Sequence, residues 1–167
     1  MKSQLDYHAC MNEPFIQQLI TKHEGRRAAV YLDSKGIPTI GIGFNLRDAD
    51  AQDICDHFGI SLPGLLDGTA TLTDAQIDEI FDYQFHEAVS EAMTLFPTFM
   101  TMPDNVQAVI VDQVFNMGLP TFSQFHREIG AINAGNYKQA AIYAGQSLWA
   151  QQVPNRAADD IALLNAA

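Results

Sequence analysis

The sequence predicts an α+β protein in which a small antiparallel sheet near the N-terminus is followed by helices. Three observations indicate this class. Residues 28–46 combine Ile, Val, Tyr and Thr with several glycines, a composition typical of short strands and tight turns. From residue 73 onward, apolar residues recur at helical spacing, and the chain has no internal repeat. Two or three short strands are unstable alone, so we expect the sheet to pack on helices.

The first predicted element is a short helix that ends at Glu24. Apolar residues recur at helical spacing from residue 15, a proline precedes them where a first turn tolerates it, and Gly25 suits the stop. The next predicted elements are an extended segment over residues 28–32, a turn over residues 33–36 and further strand over residues 38–46.

The strongest helical signal begins at Thr73, which forms a capping box with Gln76. Apolar residues then lie on one stripe as far as Phe96, and Pro97 closes the segment. The acidic residues lie mostly on the opposite face, which is typical of a solvated helix surface rather than of a site.

The other segments give shorter patterns. Residues 47–70 predict one helix that Gly59 ends, followed by a loop over SLPGLLDGTA. Asp104 is predicted to cap a helix that stops at Gly118. Further helical patterns occupy residues 122–129, 137–144 and 156–164.

The net charge of −11 is concentrated in one part of the chain. Residues 48–91 contain eleven acidic residues and no Lys or Arg, whereas the rest of the chain is neutral. We therefore expect no nucleic acid partner, because phosphate contacts need clustered Lys and Arg. Around residues 22–47 the balance reverses, since five Lys and Arg accompany only Glu24 and Asp33. Such a locally basic region suits an anionic polymer.

The sequence shows neither a recognisable targeting signal nor a metal-binding motif. No apolar run approaches a membrane-spanning length, and the first residues lack the apolar middle of a secretory signal. We therefore expect synthesis in the cytoplasm and no membrane insertion. Cys10 and Cys55 are predicted to be free thiols, and the His and Cys spacings match no zinc motif. We predict neither a metal nor a cofactor.

The stretch HEGRRAAVYLDSKGIPTIGIG admits several interpretations. It starts a G-x-G-x-x-G pattern, but position 46 is Leu and no G-K-[ST] follows, so nucleotide binding is disfavoured. Ser34 lies in no G-x-S-x-G elbow. Glu24 falls at a predicted helix C-terminus, where the dipole favours a protonated acid, and Asp33 follows nine residues later in a turn. One protonated and one ionised acid suit a glycosidase, although on spacing alone a Glu before Gly and an Asp in a turn are more often just local structure.

Two motifs give this chain a family resemblance. The pattern E-G-x-R-x-x-x-Y-x-D-x-x-G-x-x-T-I-G-x-G over residues 24–43 resembles the active-site segment of the T-even phage lysozymes, glycoside hydrolase family 24. Downstream, residues 115–118 and 149–157 are similar to that family's F-x-M-G and W-x-x-Q-x-P-N-R-A elements, in the same order. The resemblance covers about residues 15–160, and residues 47–70 are its least similar part.

The resemblance implies a lysozyme-like two-lobed fold and a muramidase that cuts the β-1,4 bond between N-acetylmuramic acid and N-acetylglucosamine. It assigns Glu24 as general acid, and Asp33 with Thr39 as the pair that activates water, with inversion. It implies that the residues that contact substrate are Arg156, Asn116, Trp149 and Tyr31, and that Arg156 approaches Glu24. The alternative role is packing for Trp149 and Tyr31, and a surface position or an ion pair for Arg156. For Asn116 the alternative is a hydrogen bond to a buried backbone group. The implied partner is bacterial peptidoglycan, reached after release to the periplasm, and we expect a monomer.

The same resemblance divides the chain into an N-terminal extension over residues 1–14 and one lysozyme domain over residues 15–167. Within that domain it implies an N-terminal lobe over residues 15–72, a connecting helix over residues 73–97 and a helical lobe over residues 98–167. Two other functions stay open. A lytic transglycosylase needs the Glu but no water-activating Asp, and a non-catalytic peptidoglycan-binding module needs neither.

Overall fold

The computed structural model describes residues 11–33 and 35–167 and confirms the predicted α+β class. The three strands are β1 (Arg27–Leu32), β2 (Pro38–Gly41) and β3 (Phe44–Asn45). The helices, in chain order, are α1 (Glu13–Glu24), α2 (Ala51–His57), α3 (Leu62–Leu66), α4 (Asp74–Leu95), α5 (Asp104–Met117), α6 (Leu119–Phe122), α7 (His126–Asn133), α8 (Tyr137–Gly145), α9 (Leu148–Gln152) and α10 (Pro154–Asn165).

The chain divides into two compact units. The sheet unit is Thr21–His86, and the helical unit joins the described residues up to Ile20 with Glu87–Ala167. The divisions therefore fall inside α1 and inside α4. The domain boundaries that the resemblance implies stay predictions, and most of the proposed N-terminal extension, including Cys10, lies outside the described residues.

The sheet unit is an antiparallel meander in the order β1-β2-β3. Gly25, with φ of +75°, ends α1 where the sequence predicted and turns the chain into β1. The register pairs Tyr31 with Thr39 and Thr39 with Asn45, so Thr39 lies on the central strand. The sheet packs on a buried apolar core. That core includes Ile40, Ile42, Phe44, Leu46, Ile54, Leu65, Leu72, Ile77, Ile80 and Phe85.

Two short-range predictions in this unit have different outcomes. The capping box at the start of α4 is confirmed, since the amide of Gln76 donates to the hydroxyl of Thr73 at 3.2 Å and the Thr73 amide donates to the Gln76 side chain at 3.0 Å. The loop predicted over residues 61–70 is wrong, because α3 forms there. The hydroxyl of Ser61 accepts a hydrogen bond from the Gly64 amide at 3.1 Å and caps this helix. Cys55 is a buried free thiol in the same unit.

The helical unit is built around α5, in which every residue from 106 to 114 is buried. Gly118 ends this helix as predicted, but Asp104 is its first residue and makes no capping bond, so that prediction was wrong. The helical pattern predicted over residues 122–129 is confirmed only in part, because α6 ends at Phe122 and α7 begins at His126. No periodic pattern predicted α9, which the Ser147 hydroxyl caps by accepting a hydrogen bond from the Ala150 amide at 3.0 Å.

Candidate active site

The predicted acid, Glu24, is the last residue of α1 and is half-buried. Its carboxyl group packs against the backbone of the turn between β2 and β3. A Cβ atom at Gly43 would lie 2.9 Å from Cδ and from Oε2 of Glu24, which is closer than any real carbon contact. Gly43 also has φ of +75°, a left-handed conformation that side chains disfavour. The turn therefore needs glycine for two reasons, and one of them is the Glu24 carboxyl.

The predicted water-activating acid, Asp33, is held by its own loop. One carboxylate oxygen, Oδ1, accepts hydrogen bonds from the Lys35 and Ile37 amides, both at 2.8 Å. The Asp33 amide donates to the Ile37 carbonyl at 3.0 Å and closes the loop. The other oxygen, Oδ2, accepts no hydrogen bond from the described residues. The loop thus fixes the carboxylate through one oxygen and leaves the second for another donor.

Thr39 lies on β2 and is 5% exposed. Its hydroxyl donates to the Ile37 carbonyl at 3.1 Å. Because that hydrogen bond uses the single proton of the hydroxyl, the oxygen can act toward a further group only as an acceptor. Ile37 therefore connects the two predicted water-activating residues, since its amide binds Asp33 and its carbonyl binds Thr39.

The pKa of Tyr31 responds to the charged groups around this end of the sheet. Burial raises the pKa of the Tyr31 phenol, and the negative charges of Glu24 and Asp33 raise it further, whereas Arg27 opposes the shift. The guanidinium carbon of Arg27 lies 4.4 Å from the centre of the Tyr31 ring. Both predicted catalytic carboxylates are therefore within electrostatic range of one tyrosine, in the same unit.

Asn116 and Trp149 form a pair inside the helical unit. The indole Nε1 of Trp149 donates to Oδ1 of Asn116 at 2.8 Å. Trp149 is only 6% exposed and Asn116 is half-buried, so the ring contributes mainly to packing in this structure. The resemblance implied substrate contacts for both, and those contacts stay predictions.

Arg156 is also buried, with 6% exposure. Its Nε donates to Oδ2 of Asp112 at 2.8 Å, and its Nη2 donates to Oδ1 of the same carboxylate at 3.2 Å. Asp112 was missed at the level of sequence. Glu24 belongs to the sheet unit and Arg156 to the helical unit, so the implied approach of Arg156 to Glu24 stays a prediction.

Comparison with known families identifies the class of protein to which this chain belongs. The sequence profile of the family described as phage lysozyme matches residues 21–156 of this chain, which is most of its length. The chain belongs to the phage lysozyme family. That membership supports a peptidoglycan hydrolase of the lysozyme type as the class of activity.

Three relatives resemble this member of the phage lysozyme family at low identity. The pre-baseplate central spike protein Gp5 of Enterobacteria phage T4 is 25% identical over 153 residues, which are 84% of this chain but only 26% of the spike protein. The probable T4-type lysozymes 1 and 2 of Dictyostelium discoideum are 24% and 23% identical. Each of these comparisons covers 84% of this chain and 88% of the relative.

We predict that Gly43→Ala lowers lysozyme activity well beyond its effect on stability. The new methyl group would displace the Glu24 carboxyl, and a displacement of about 1 Å can cost on the order of a hundredfold in rate. The matched control is Gly59→Ala, because Gly59 has φ of +66° in the same unit and has nothing within 4 Å of its added Cβ. Both variants should lose similar stability, about 1–2 kcal/mol from the left-handed backbone. Equal activity in the two variants would contradict the positional role of Gly43.

Two further carboxyl groups of the helical unit were missed at the level of sequence. Glu128 on α7 is 1% exposed and Asp160 on α10 is fully buried. Burial raises the pKa of Glu128 to about 7, and Gln113 partly offsets this. Burial and the negative charge of Asp112 raise the pKa of Asp160 well above its usual range, with Arg156 opposing. Asp112, Glu128 and Asp160 therefore form a buried acidic cluster in the helical unit, within electrostatic range of one another through Asp160.

The described residues contain no group of three or more His, Cys, Asp or Glu side chains arranged to hold a metal ion. None of their helices is long and apolar enough to cross a membrane. The absence of a metal or a cofactor stays a prediction, as does the monomeric state.

Proposed function

We propose that this chain is a muramidase that cleaves the β-1,4 bond between N-acetylmuramic acid and N-acetylglucosamine in bacterial peptidoglycan. Glu24 acts as general acid and protonates the glycosidic oxygen. Asp33 and Thr39 hold a water molecule on the opposite face of the sugar, and its attack inverts the anomeric centre. The class of activity rests on family membership, and the mechanism rests on the geometry of the sheet unit.

The observation that carries the mechanism is the hydrogen bonding of the Asp33 carboxylate, which uses one oxygen and leaves the other available. A residue that serves only as a loop former needs no more than the two amide hydrogen bonds at Oδ1. Those bonds also fix the orientation of the second oxygen, Oδ2. An oriented carboxylate oxygen and an acceptor hydroxyl are what water activation requires, because a water held by both can donate one proton to Oδ2 and the other to Thr39.

The residues proposed to contact substrate are Tyr31, Asn116, Trp149 and Arg156. Tyr31 would contact sugar near the two carboxylates. Asn116, Trp149 and Arg156 would contribute from the helical unit, with Asn116 and Trp149 acting together because they are hydrogen-bonded. Arg156 is the cation among them and suits the carboxylates of peptidoglycan. The protein would reach the cell wall after release from the cytoplasm.

Digestion of purified sacculi, followed by mass spectrometry of the fragments, tests the reaction. A muramidase yields hydrated reducing ends at N-acetylmuramic acid. Anhydro ends would instead support a lytic transglycosylase, and intact sacculi with bound protein would support a non-catalytic binding module. Nuclear magnetic resonance of the first product distinguishes inversion from retention, since an inverting enzyme releases the α-anomer before mutarotation.

A further inference from the structure

The ion pair between Asp112 and Arg156 is a buried, two-point contact. The Asp112 side chain is fully buried and the Arg156 side chain is 7% exposed. The two hydrogen bonds run in parallel, one from Nε and one from Nη2, to the two oxygens of one carboxylate. Because the guanidinium group is planar, fixing one edge fixes the plane and the direction of its remaining N–H bonds.

The edge that Asp112 occupies matters for the rest of the group. Arg has five N–H donors, and this side-on arrangement uses the Nε–H and one N–H of Nη2. The end of the guanidinium, which includes Nη1, is therefore turned away from Asp112. The carboxylate thus determines where that end is directed.

Asp160 lies within electrostatic range of both members of this pair, and Glu128 lies within electrostatic range of Asp160. Asp160 follows Arg156 by one helical turn on α10, and Glu128 approaches from α7. None of their four oxygens accepts a hydrogen bond within standard geometry from the described residues. Gln113 on α5 is the polar neighbour that interacts with both. Burial favours the protonated, neutral form of both acids, so the ionic bond falls to Asp112.

We propose that Asp112 is a positioning residue, which sets the direction of the Arg156 guanidinium toward substrate through their two parallel hydrogen bonds. This inference rests on the proposed function, because it takes the substrate role of Arg156 from there. Asp112 contacts no substrate itself. It acts by holding one rotamer of Arg156, so less side-chain freedom is lost when substrate binds.

The test compares Asp112→Asn with Asp160→Asn, using soluble uncrosslinked glycan strands as substrate. Asp112→Asn removes the charge and one of the two acceptor oxygens, so we expect KM to rise on the order of tenfold with kcat nearly unchanged. Asp160→Asn replaces a neutral buried acid with a neutral amide of the same shape, so KM should stay unchanged. An unchanged KM for folded Asp112→Asn would overturn the proposal.

A spectroscopic measurement keeps the proposal testable if Asp112→Asn fails to fold. In the wild-type protein, the Nε–H resonance of Arg156 should exchange with water far more slowly than that of the exposed Arg47. Arg156→Lys identifies the resonance by its disappearance. Equal exchange for Arg156 and Arg47 would overturn the fixed pair. If the wild type cuts no glycan, the proposed function fails, while this measurement still reports on the pair.

Discussion

Replacing Glu24 with Gln is expected to abolish peptidoglycan cleavage while the protein stays folded. The amide has the shape of the acid but cannot supply a proton to the glycosidic oxygen, and a general acid contributes about 10²–10⁴ in rate. Folding should be little affected, since Glu24 is half-buried and lies at a helix C-terminus, where a negative charge is unfavourable. Release of fragments from sacculi measures the loss, and thermal unfolding measures the stability.

The control for this prediction is Glu79→Gln, which makes the same chemical change at an exposed position of α4. It should retain full activity. Undiminished cleavage by Glu24→Gln would sink the general-acid assignment. A loss of cleavage together with a large fall in the unfolding temperature would point instead to a structural role of the Glu24 carboxyl against Gly43.

The helical unit is expected to lose stability as the pH rises from about 4.5 to about 7. The Glu128 carboxyl has its usual pKa of 4.5 in the unfolded chain and a pKa of about 7 in the folded protein. Below the lower value both states are protonated, and the stability that the neutral acid contributes is fully present. Between the two values the unfolded chain releases the proton while the folded protein keeps it, so the free energy of unfolding falls by about 1.4 kcal/mol per pH unit. The total loss is about 3 kcal/mol.

Neighbouring charged groups also affect how the stability of the helical unit depends on pH. Asp160 changes stability in the same sense, since its pKa is also raised, whereas Arg156 opposes the shift at Asp160. Exposed pairs such as that of Arg26 with Asp74 contribute little. Glu128→Gln should therefore flatten the dependence of unfolding temperature on pH.

Fluorescence of Trp149 measures this effect selectively, because it is the single tryptophan and lies in the helical unit. A loss of about 3 kcal/mol corresponds to roughly 6–12 °C in unfolding temperature for a chain of this size. Glu79→Gln should give a curve parallel to that of the wild type. If Glu128→Gln also runs parallel to the wild type, Glu128 does not titrate between folded and unfolded states as described.

The parts of the fold that could be predicted are those with local signals. Gly25, Gly118 and the Thr73 capping box mark helix ends through the backbone conformation or the hydrogen bonds of a few neighbouring residues. The helices α3 and α9 have only five residues each, too few for a hydrophobic period to repeat. Their only signals are the capping residues Ser61 and Ser147.

The residues of the candidate site also differ in whether a local signal in the sequence could predict them. Glu24, Asp33 and Thr39 fall within one short stretch from the end of α1 to β2, so sequence order alone could predict that they belong to one unit. Asp112 and Glu128 could not be predicted, because their burial depends on which helices pack around them. Asp160 had a readable signal, since it lies four residues from both Arg156 and Leu164, on the buried face of α10.

The helical unit is built from two stretches that lie far apart in the sequence, and this separation affects the order in which the two units can fold. Ile16 and Ile20 leave the ribosome early, yet the residues that complete their unit begin at Glu87. Joining stretches across 66 unstructured residues costs about 4 kcal/mol in chain entropy relative to adjacent ones. If residues 21–86 fold first, that loop is already shortened. In that case the sheet unit would form during translation, and the helical unit would be completed only after Glu87–Ala167 had been synthesised.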